Sequence, residues 1–554
     1  MTDRTREAVM REAARRSGET TLLRRVVAAC RIRRREMKIA DSTGAALTGV
    51  ETLARAFALR RLLRRRLAPD ERRVGILLPP TVAAVVANLA LAFDGRTLVN
   101  LNYSLPGETV DRSIAFAGIR HVVTSRRFLD RLPFRPAADP IVLEDLAARI
   151  GWRDKAAAAA LAYAVPAPLL ARIVGYDRFQ RDDPLAVVFT SGTTGGPKGA
   201  VLSWGNVESN VDAVNAVIRL RPTDVMLGVL PFFHAFGFTI TLWTALANDV
   251  AAVYHTNPLE GRAIGALSRE RHVTILLATP TFFRSYLHRV PPEDFASVDV
   301  AFAGGERLSP DLADAFERRF GVRLGEGYGA TEMSPLISAN IPPNRAIGPA
   351  DAGSRRGTVG RPASGVEVRV TDLETGEPLG PNQRGMLWAR GPNLMLGYLD
   401  QPEATAAVIH DGWYRTGDVA TIDEDGFITI VGRISRFAKI GGEMVPFAPL
   451  EEALGAILGA DETGVSRAAV AAVPDEAAGE RIVVVHVPIS QTPAELTRAL
   501  AARGLPPIAL PTPRDFYEVE ALPLAGIGKV DLAKVAQIAQ ERVQAASAQR
   551  AARA

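Results

Sequence analysis

"VVFTSGTTGGPKGAVLSWGN", residues 187–206, carries five glycines, three threonines, two serines and one lysine behind a short apolar run. Bare backbone N–H groups, hydroxyls and a single cation can together surround a polyanion, so the composition points to phosphate. The Walker A spacing G-x-x-x-x-G-K-[ST], counted from Gly192, would need a glycine at Pro197 and a hydroxyl at Gly199, and fails at both. The strand-like "LAVVF" (185–189) still feeds phosphate-binding parts of another kind, from Thr190 to Lys198, with an ordinary glycine turn as the alternative reading.

Outward from this loop, apolar β-branched segments alternate with helix-like ones: "RRVGILLPP", "TVAAVVANLALAF", "TLVNLNY", "ETVDRSIAFAGIR" and "HVVTS" before it, "VMLGVLPFF", "VAAVYH", "VTILLATP" and "VDVAFAGG" after it. That rhythm predicts wound α/β sheets to about residue 340. From residue 355 short strands and turns take over ("GVEVRVTDLETGEPL", "GMLWARGP", "GFITIVGR"), which predicts a β-rich subdomain over 355–434. A new α+β segment starts after Arg433, with "SRAAVAAVPDEAAGERIVVVHVP" reading as strand, turn and strand. The expected organisation is an N-terminal domain over 1–434, a small C-terminal domain over 435–535 and a tail over 536–554 that reads as a frayed helix or as irregular chain.

The chain of 554 residues is 47% hydrophobic and 23% charged, the profile of an ordinary globular protein. Cys30, its one cysteine, cannot form an intramolecular disulfide, and residues 1–20 lack an apolar signal core, so a cytoplasmic protein is expected. Residues 1–73 hold 20 Lys/Arg against 9 Asp/Glu, a local excess of +11 in a chain whose total is +5. Arginines interleaved with leucines, as in "LRRLLRRRLA", read first as solvated helix faces; no zinc-finger spacing or RNA-binding aromatic motif accompanies them, and no nucleic-acid partner is expected. The uncharged run "AAAAALAYAVPAPLLA" (156–171) is too short to span a bilayer and is broken by Pro166 and Pro168. It reads equally as a buried helical insertion or, with Trp152, Arg153 and Lys155 ahead of it, as an interfacial segment on an anionic membrane.

Seven stretches in order, "FTSGTTGGPKGAVLSWGN", "LPFFHAFGF", "AGGERLSP", "GYGATEMSP", "WYRTGDVA", "VGRISRFAKIGGEMV" and "LPLAGIGKVD", resemble the adenylate-forming superfamily of acyl-CoA synthetases, peptide-synthetase adenylation domains and luciferases. Within it, "FAKIGGEMVP", "PDEAAGERIVVVHVP" and "LPLAGIGKVDL" look most like the ligase part of bifunctional 2-acylglycerophosphoethanolamine acyltransferase/acyl-carrier synthetases. The resemblance implies an ATP- and Mg2+-dependent ligase that converts a fatty acid to acyl-AMP and passes the acyl group to CoA or an acyl-carrier protein. It implies the matching fold: a large domain of wound sheets with a β-rich subdomain, and a small mobile α+β domain. Other readings are an adenylation-only ligase and a non-catalytic membrane or nucleic-acid binding protein using the basic N-terminus.

Site roles follow from the same resemblance. Thr190, Ser191, Gly192, Thr193, Thr194, Gly195 and Lys198 would hold the β and γ phosphates, with Glu332 and Thr193 on Mg2+. Gly304, Gly305 and Glu306 would edge the adenine, Tyr328 would stack on it beside Gly329 and Thr331, and Asp418 with Arg433 would take the ribose hydroxyls. A carboxylate suits a vicinal diol because it accepts both protons. Lys529 would steady charge on the reacting carboxylate and α-phosphate. His234 would position the acyl group, with Phe236 and Phe238 lining its channel. Ser435 stands at a hinge that is usually Asp or Lys; Lys439, Gly441, Gly442 and Glu443 would border a pantetheine tunnel. Trp204 stands where many relatives have His.

Overall fold

The computed structural model describes residues 21–190, 197–346, 353–441, 443–461, 465–475, 478–524 and 530–551. Packing divides the chain into two compact units, one holding the chain through Val368 together with Ala389–Arg415, the other Arg369–Trp388 and the chain from Thr416 onward. The division falls earlier than the boundary near residue 434 read from the sequence. One reason is that the strand Ile428–Arg433 pairs along Asp418–Ile422 and is counted with it.

The first unit contains two wound sheets. In the seven-stranded sheet the order is Gly397–Tyr398, Lys198–Ser203, Pro184–Thr190, Thr97–Asn100, Arg73–Leu77, His121–Thr124, Asp139–Val142. From Pro184–Thr190 onward the pairing is parallel, and at the other edge it is antiparallel. In the nine-stranded sheet a parallel core runs from Leu324–Gly329 through Val300–Ala303, Ile275–Ala278, Val225–Gly228 and Ala251–Tyr254 to Met37–Asp41. Its central strands are apolar throughout because both faces are buried. The strand Met37–Asp41 escapes such a reading because it carries Lys38. That ammonium is fully buried and donates to the carbonyls of Ala245 (2.7 Å), Asn248 (2.5 Å) and Val250 (3.0 Å). Burial pushes its pKa down to about 8.

The basic N-terminal clusters are partly consumed inside the fold. Arg31 donates to the carbonyls of Leu161 (3.1 Å) and Val165 (2.6 Å), Arg60 to Val174 O (2.7 Å), and Arg61 and Arg65 pair with the buried Asp154 (3.2 and 2.6 Å). These bonds fasten the run around 156–171, which is two helices, Trp152–Tyr163 and Ala167–Val174, separated where Pro166 and Pro168 remove backbone donors.

In the second unit a sheet of order Glu443–Pro446, Phe437–Ile440, Gly479–His486, Ala468–Asp475, with Phe516–Glu518 parallel to Gly479–His486, has side chains alternating between two cores. Val470, Ile482 and Val484 face Leu450, Leu454, Leu496 and Leu500, while Val473, Val483 and Val485 face Val535 and Ala539. Of the two expected readings of the chain's end, frayed helix or tail, the structure has the helix, and it starts before residue 536. Residues 532–551 form one helix, and Val535 and Ala539 are wholly buried against the sheet.

Candidate active site

The segment expected to hold phosphate is flanked by two antiparallel strands, Pro184–Thr190 and Lys198–Ser203, with Thr190 opposite Lys198. Buried Leu185, Ala186, Val187 and Val188 anchor the first strand. A Cβ at Gly199 would come within 2.7 Å of Val187, so the return strand is pressed close. Ser191, Gly192, Thr193, Thr194 and Gly195 lie outside the described residues. After the hairpin Ser203 caps the helix Trp204–Ile218 through a reciprocal pair with Asn206 (3.1 and 2.9 Å). Trp204, unexplained in the sequence, is a core residue stacked on Phe179 with ring centroids 5.4 Å apart.

Glu332 sits in the turn Thr331–Met333 and is only 8% exposed. The Tyr398 hydroxyl donates to its Oε1 at 2.6 Å. The Lys198 ammonium stands 5.7 Å from the centroid of the Tyr398 ring, so one phenol touches both the cation and the carboxylate. Burial, then the charge of Glu332, with Tyr398 and Tyr328 beside it and a hydrogen bond to Glu332, pushes the Tyr414 phenol well above its ordinary pKa. The backbone of the turn is fixed as well. Asn210 and Asn393 donate to Met333 O (3.1 and 2.7 Å), Asn393 also to Leu336 O (2.8 Å), and Met395 N to Glu332 O (2.8 Å).

Among the described residues no three His, Cys, Asp or Glu side chains converge into a metal cage. A single held carboxylate such as Glu332 is a donor that could serve Mg2+, which keeps waters and binds through one or two carboxylates plus substrate phosphates. A carboxylate offers about four lone-pair sites, so two phenol bonds leave Glu332 room to ligate.

Gly304, Gly305 and Glu306 follow the strand Val300–Ala303, and Tyr328 and Gly329 end its parallel neighbour Leu324–Gly329. Both stretches thus lie at carboxyl ends of strands, where open α/β sheets hold ligands. Gly305 has φ +79°, and a Cβ at Gly304 would meet the Phe236 ring at 2.9 Å. Glu306 has a structural task besides the expected one, since its carboxylate accepts from Thr281 N (3.1 Å) and Oγ1 (2.6 Å) at the start of the helix Pro280–Arg289. Glu326, two residues before Tyr328, accepts from Leu308 N at 3.1 Å, and burial pushes its pKa up to about 7.

His234 is exposed, with its ring 4.6 Å from that of Phe233, and opens a π-helical stretch, Phe236–Trp243. Phe236 is half-buried with its ring against Gly304. Phe238 differs from Phe236 in its surroundings. It is wholly buried, edge-on to Trp243 at 6.1 Å, and belongs to the core because the helical turn points it away from Phe236.

In the second unit Asp418 and Arg433 are cross-strand partners, with Arg433 Nε donating to Asp418 Oδ1 at 3.1 Å. Asp418 is 8% exposed and its N–H donates to Thr416 Oγ1 at 3.0 Å. Ser435 lies in the single turn Ile434–Arg436. Lys439, Gly441 and Glu443 are exposed on the hairpin Phe437–Ile440/Glu443–Pro446, whose tip Gly441 has φ +58°. Gly442 and Lys529 lie outside the described residues. Sequence reading missed Tyr398, Tyr414, Asn210 and Asn393. Tyr414 was in view inside "WYRTGDVA", but nothing local places residues 210, 393 or 398 beside 332.

The residues expected at the adenine thus stand at the carboxyl ends of neighbouring parallel strands of a wound α/β sheet. The chain belongs to the AMP-binding enzyme family: that family's model matches residues 23–399 and the model of its C-terminal domain matches 457–529. It is 33% identical over 469 residues to 4-coumarate–CoA ligase 2 of Oryza sativa subsp. japonica, covering 80% of this chain and 79% of the relative. It is 28% identical over 494 residues to a long-chain-fatty-acid–CoA ligase of Yersinia pestis, covering 83% and 84%. The fold matches ATP-bound MatB from Rhodopseudomonas palustris with a TM-score of 0.74 at 26% identity, over 93% of this chain and 98% of that one. The chain is thus an ATP-using, adenylate-forming acid–thiol ligase of the CoA ligase type.

Proposed function

We propose that this ligase activates a medium- or long-chain fatty acid. In the first half-reaction a carboxylate oxygen bonds to the α-phosphorus of ATP as the bond to pyrophosphate breaks, giving acyl-AMP. In the second a thiolate attacks the acyl carbonyl, AMP leaves with the electron pair, and the thiol proton passes to solvent. Both steps gather negative charge, which positioned cations and donors stabilise. The adenylation chemistry is supported by the contact set Lys198–Tyr398–Glu332, in which one phenol lies near a cation and donates to a carboxylate beside the hairpin Pro184–Thr190/Lys198–Ser203. Thr190 and Lys198 would flank the β and γ phosphates, and Glu332 with Thr193 would hold Mg2+, whose contribution when bound is to neutralise phosphate charge. Asp418 and Arg433 would receive the ribose, and Lys529 the α-phosphate.

A fatty substrate is supported by long-chain ligases among the relatives, in Yersinia pestis and in Bacillus subtilis (30% identical over 359 residues). The thiol is CoA or, from the C-terminal motifs, an acyl-carrier protein. Peripheral association with an anionic membrane belongs to the same reading, because a long-chain acid partitions into lipid. ATP–pyrophosphate exchange across octanoate, palmitate, oleate, 4-coumarate and oxalate tests the acid. Strong exchange with palmitate or oleate is expected, and exchange with 4-coumarate or oxalate alone overturns it. Product mass with CoA and with carrier protein then fixes the acceptor.

A further inference from the structure

Of seven large apolar side chains that stand exposed among the described residues, four fall within 22 consecutive positions: Trp152 (74% exposed), Tyr163 (47%), Leu169 (50%) and Ile173 (54%). They share the helical pair Trp152–Tyr163 and Ala167–Val174. On the first helix Asp154, Ala158 and Ala162, spaced by four, are buried. The opposite stripe, Trp152, Ala156, Ala160 and Tyr163, is exposed and uncharged between its two aromatic ends. Eleven residues at 1.5 Å per residue separate those rings by about 16 Å along the axis. On the second helix Leu170, Ala171 and Val174 face inward while Leu169 and Ile173 face out.

Disorder is not what exposes these side chains. Asp154 is held by Arg61 and Arg65, and the last carbonyls of both helices are taken by Arg31 and Arg60, so the apolar stripe is presented on a fastened element. Around it the surface is cationic. The Arg153 guanidinium lies 5.5 Å from the centroid of the Trp152 ring and that of Arg34 lies 5.7 Å from the centroid of Tyr163, so each aromatic end carries an arginine. Arg35, Lys155 and Arg172 are also exposed. Aromatic rings paired with arginines at both ends of a short uncharged stripe match a lipid interface, where rings sit at headgroup depth, methyl groups enter the acyl boundary and cations meet anionic headgroups. Among the described residues no helix is long and apolar enough to cross the bilayer.

We propose that this helical pair is the membrane-docking surface, lying in the plane of an anionic bilayer with Trp152, Tyr163, Leu169 and Ile173 inserted to about 5–10 Å. The assignment rests on the peripheral association proposed above, and adds which residues make it. A second copy of the chain covering the same stripe is the rival occupant.

The experiment is co-sedimentation of the full chain with phosphatidylglycerol or phosphatidylcholine vesicles at low and high salt, alongside Trp152→Ser/Tyr163→Ser/Leu169→Ser/Ile173→Ser. Melting temperature and octanoate-dependent pyrophosphate exchange report whether that variant is folded and active. Expected are binding to phosphatidylglycerol that salt weakens, little binding to phosphatidylcholine, and at least a tenfold fall in vesicle affinity in the variant with melting and exchange unchanged. A blue shift of Trp emission on adding vesicles, lost in Trp152→Phe, is the expected independent sign of insertion. Wild-type-like vesicle binding by the fourfold variant would overturn this surface while leaving peripheral association standing. Wild-type protein that stays in the supernatant at low salt would overturn both. A dimer in light scattering that the fourfold variant abolishes would assign the stripe to a second copy instead. None of these outcomes touches the choice of acid, which the exchange panel decides.

Discussion

At the scale of single residues, the environment of Glu332 shows how the fold prepares one carboxylate. Hydrogen bonds to an ionised group contribute about 1.5–3 kcal/mol, so removing the Tyr398 hydroxyl should weaken the holding of Glu332 by that amount. Tyr398→Phe is expected to lower fatty-acid-dependent pyrophosphate exchange about 10- to 100-fold. It should also raise the Mg2+ concentration needed for half-maximal rate, with the melting temperature little changed; an unaltered Mg2+ dependence would remove Tyr398 from the site. Glu326 gives a prediction in pH. Its pKa rises from 4.5 to about 7 on folding because burial disfavours the anion. Between those values the folded state binds more protons than the unfolded one, so stability falls as pH climbs through the window and stays lowered above it. At 1.36 kcal/mol per pKa unit the ceiling is about 3 kcal/mol. Glu326→Gln keeps an acceptor for Leu308 N without the charge. It should melt with the wild type near pH 4 and several degrees higher at pH 8, whereas parallel melting curves would show that the carboxylate stays hydrated.

At the scale of elements, the helix Pro280–Arg289 begins on two acceptors, Thr279 Oγ1 for Phe282 N (3.4 Å) and the Glu306 carboxylate for Thr281 N and Oγ1. A negative group at a helix N-terminus also meets the favourable end of the macrodipole. Glu306→Ala is therefore expected to cost about 1–2 kcal/mol, seen as a lower melting temperature, and Glu306→Gln distinctly less. Equal melting of both variants would leave Glu306 with no capping task. The elements also show what was legible in the sequence. Strands such as Val74–Leu77 within Arg73–Leu77 and Ile275–Ala278 stood out because burial on both faces leaves them apolar, and the apolar run ahead of the glycines and hydroxyls of 187–206 marked the strand Pro184–Thr190. The packing of the final helix was not legible because its Ala, Gln and Arg content suggests solvent, although Val535, Ala539 and Val543, with Ile538, form a stripe at helical spacing. Tyr398 was missed for a different reason. It reaches Glu332, 66 positions away, because the strand Gly397–Tyr398 adds to Lys198–Ser203, and pairing between distant strands leaves no local periodicity to read.

At the scale of the whole molecule, the family resemblance implies that the C-terminal region serves the two half-reactions with different groups, Lys529 in the first and the Gly441 hairpin in the second. Two variants separate these roles. Lys529→Ala removes a charge wanted only while acyl-AMP forms, so pyrophosphate exchange should fall about 10²- to 10³-fold while thioester formation from supplied acyl-AMP persists. Gly441→Leu should do the reverse, sparing exchange and blocking transfer to the thiol, because a side chain would stand in the path of the pantetheine arm. The geometry makes this second variant usable. A Cβ at Gly441 meets nothing within 4 Å, so leucine there invades no core, and the cost is confined to a positive φ of +58° at an exposed hairpin tip. That strain is about 1–2 kcal/mol and falls on the second unit's sheet. Gly441→Asn, which tolerates the left-handed region, controls for it. If strain alone mattered, the asparagine variant would transfer normally and leucine would lower the melting temperature together with both half-reactions. If the hairpin borders the thiol path, leucine should block transfer while exchange stays intact, and asparagine should slow transfer in proportion to its smaller side chain. Equal loss of both half-reactions in Lys529→Ala, or normal transfer in Gly441→Leu, would mean that a single arrangement of the C-terminal region serves the whole reaction.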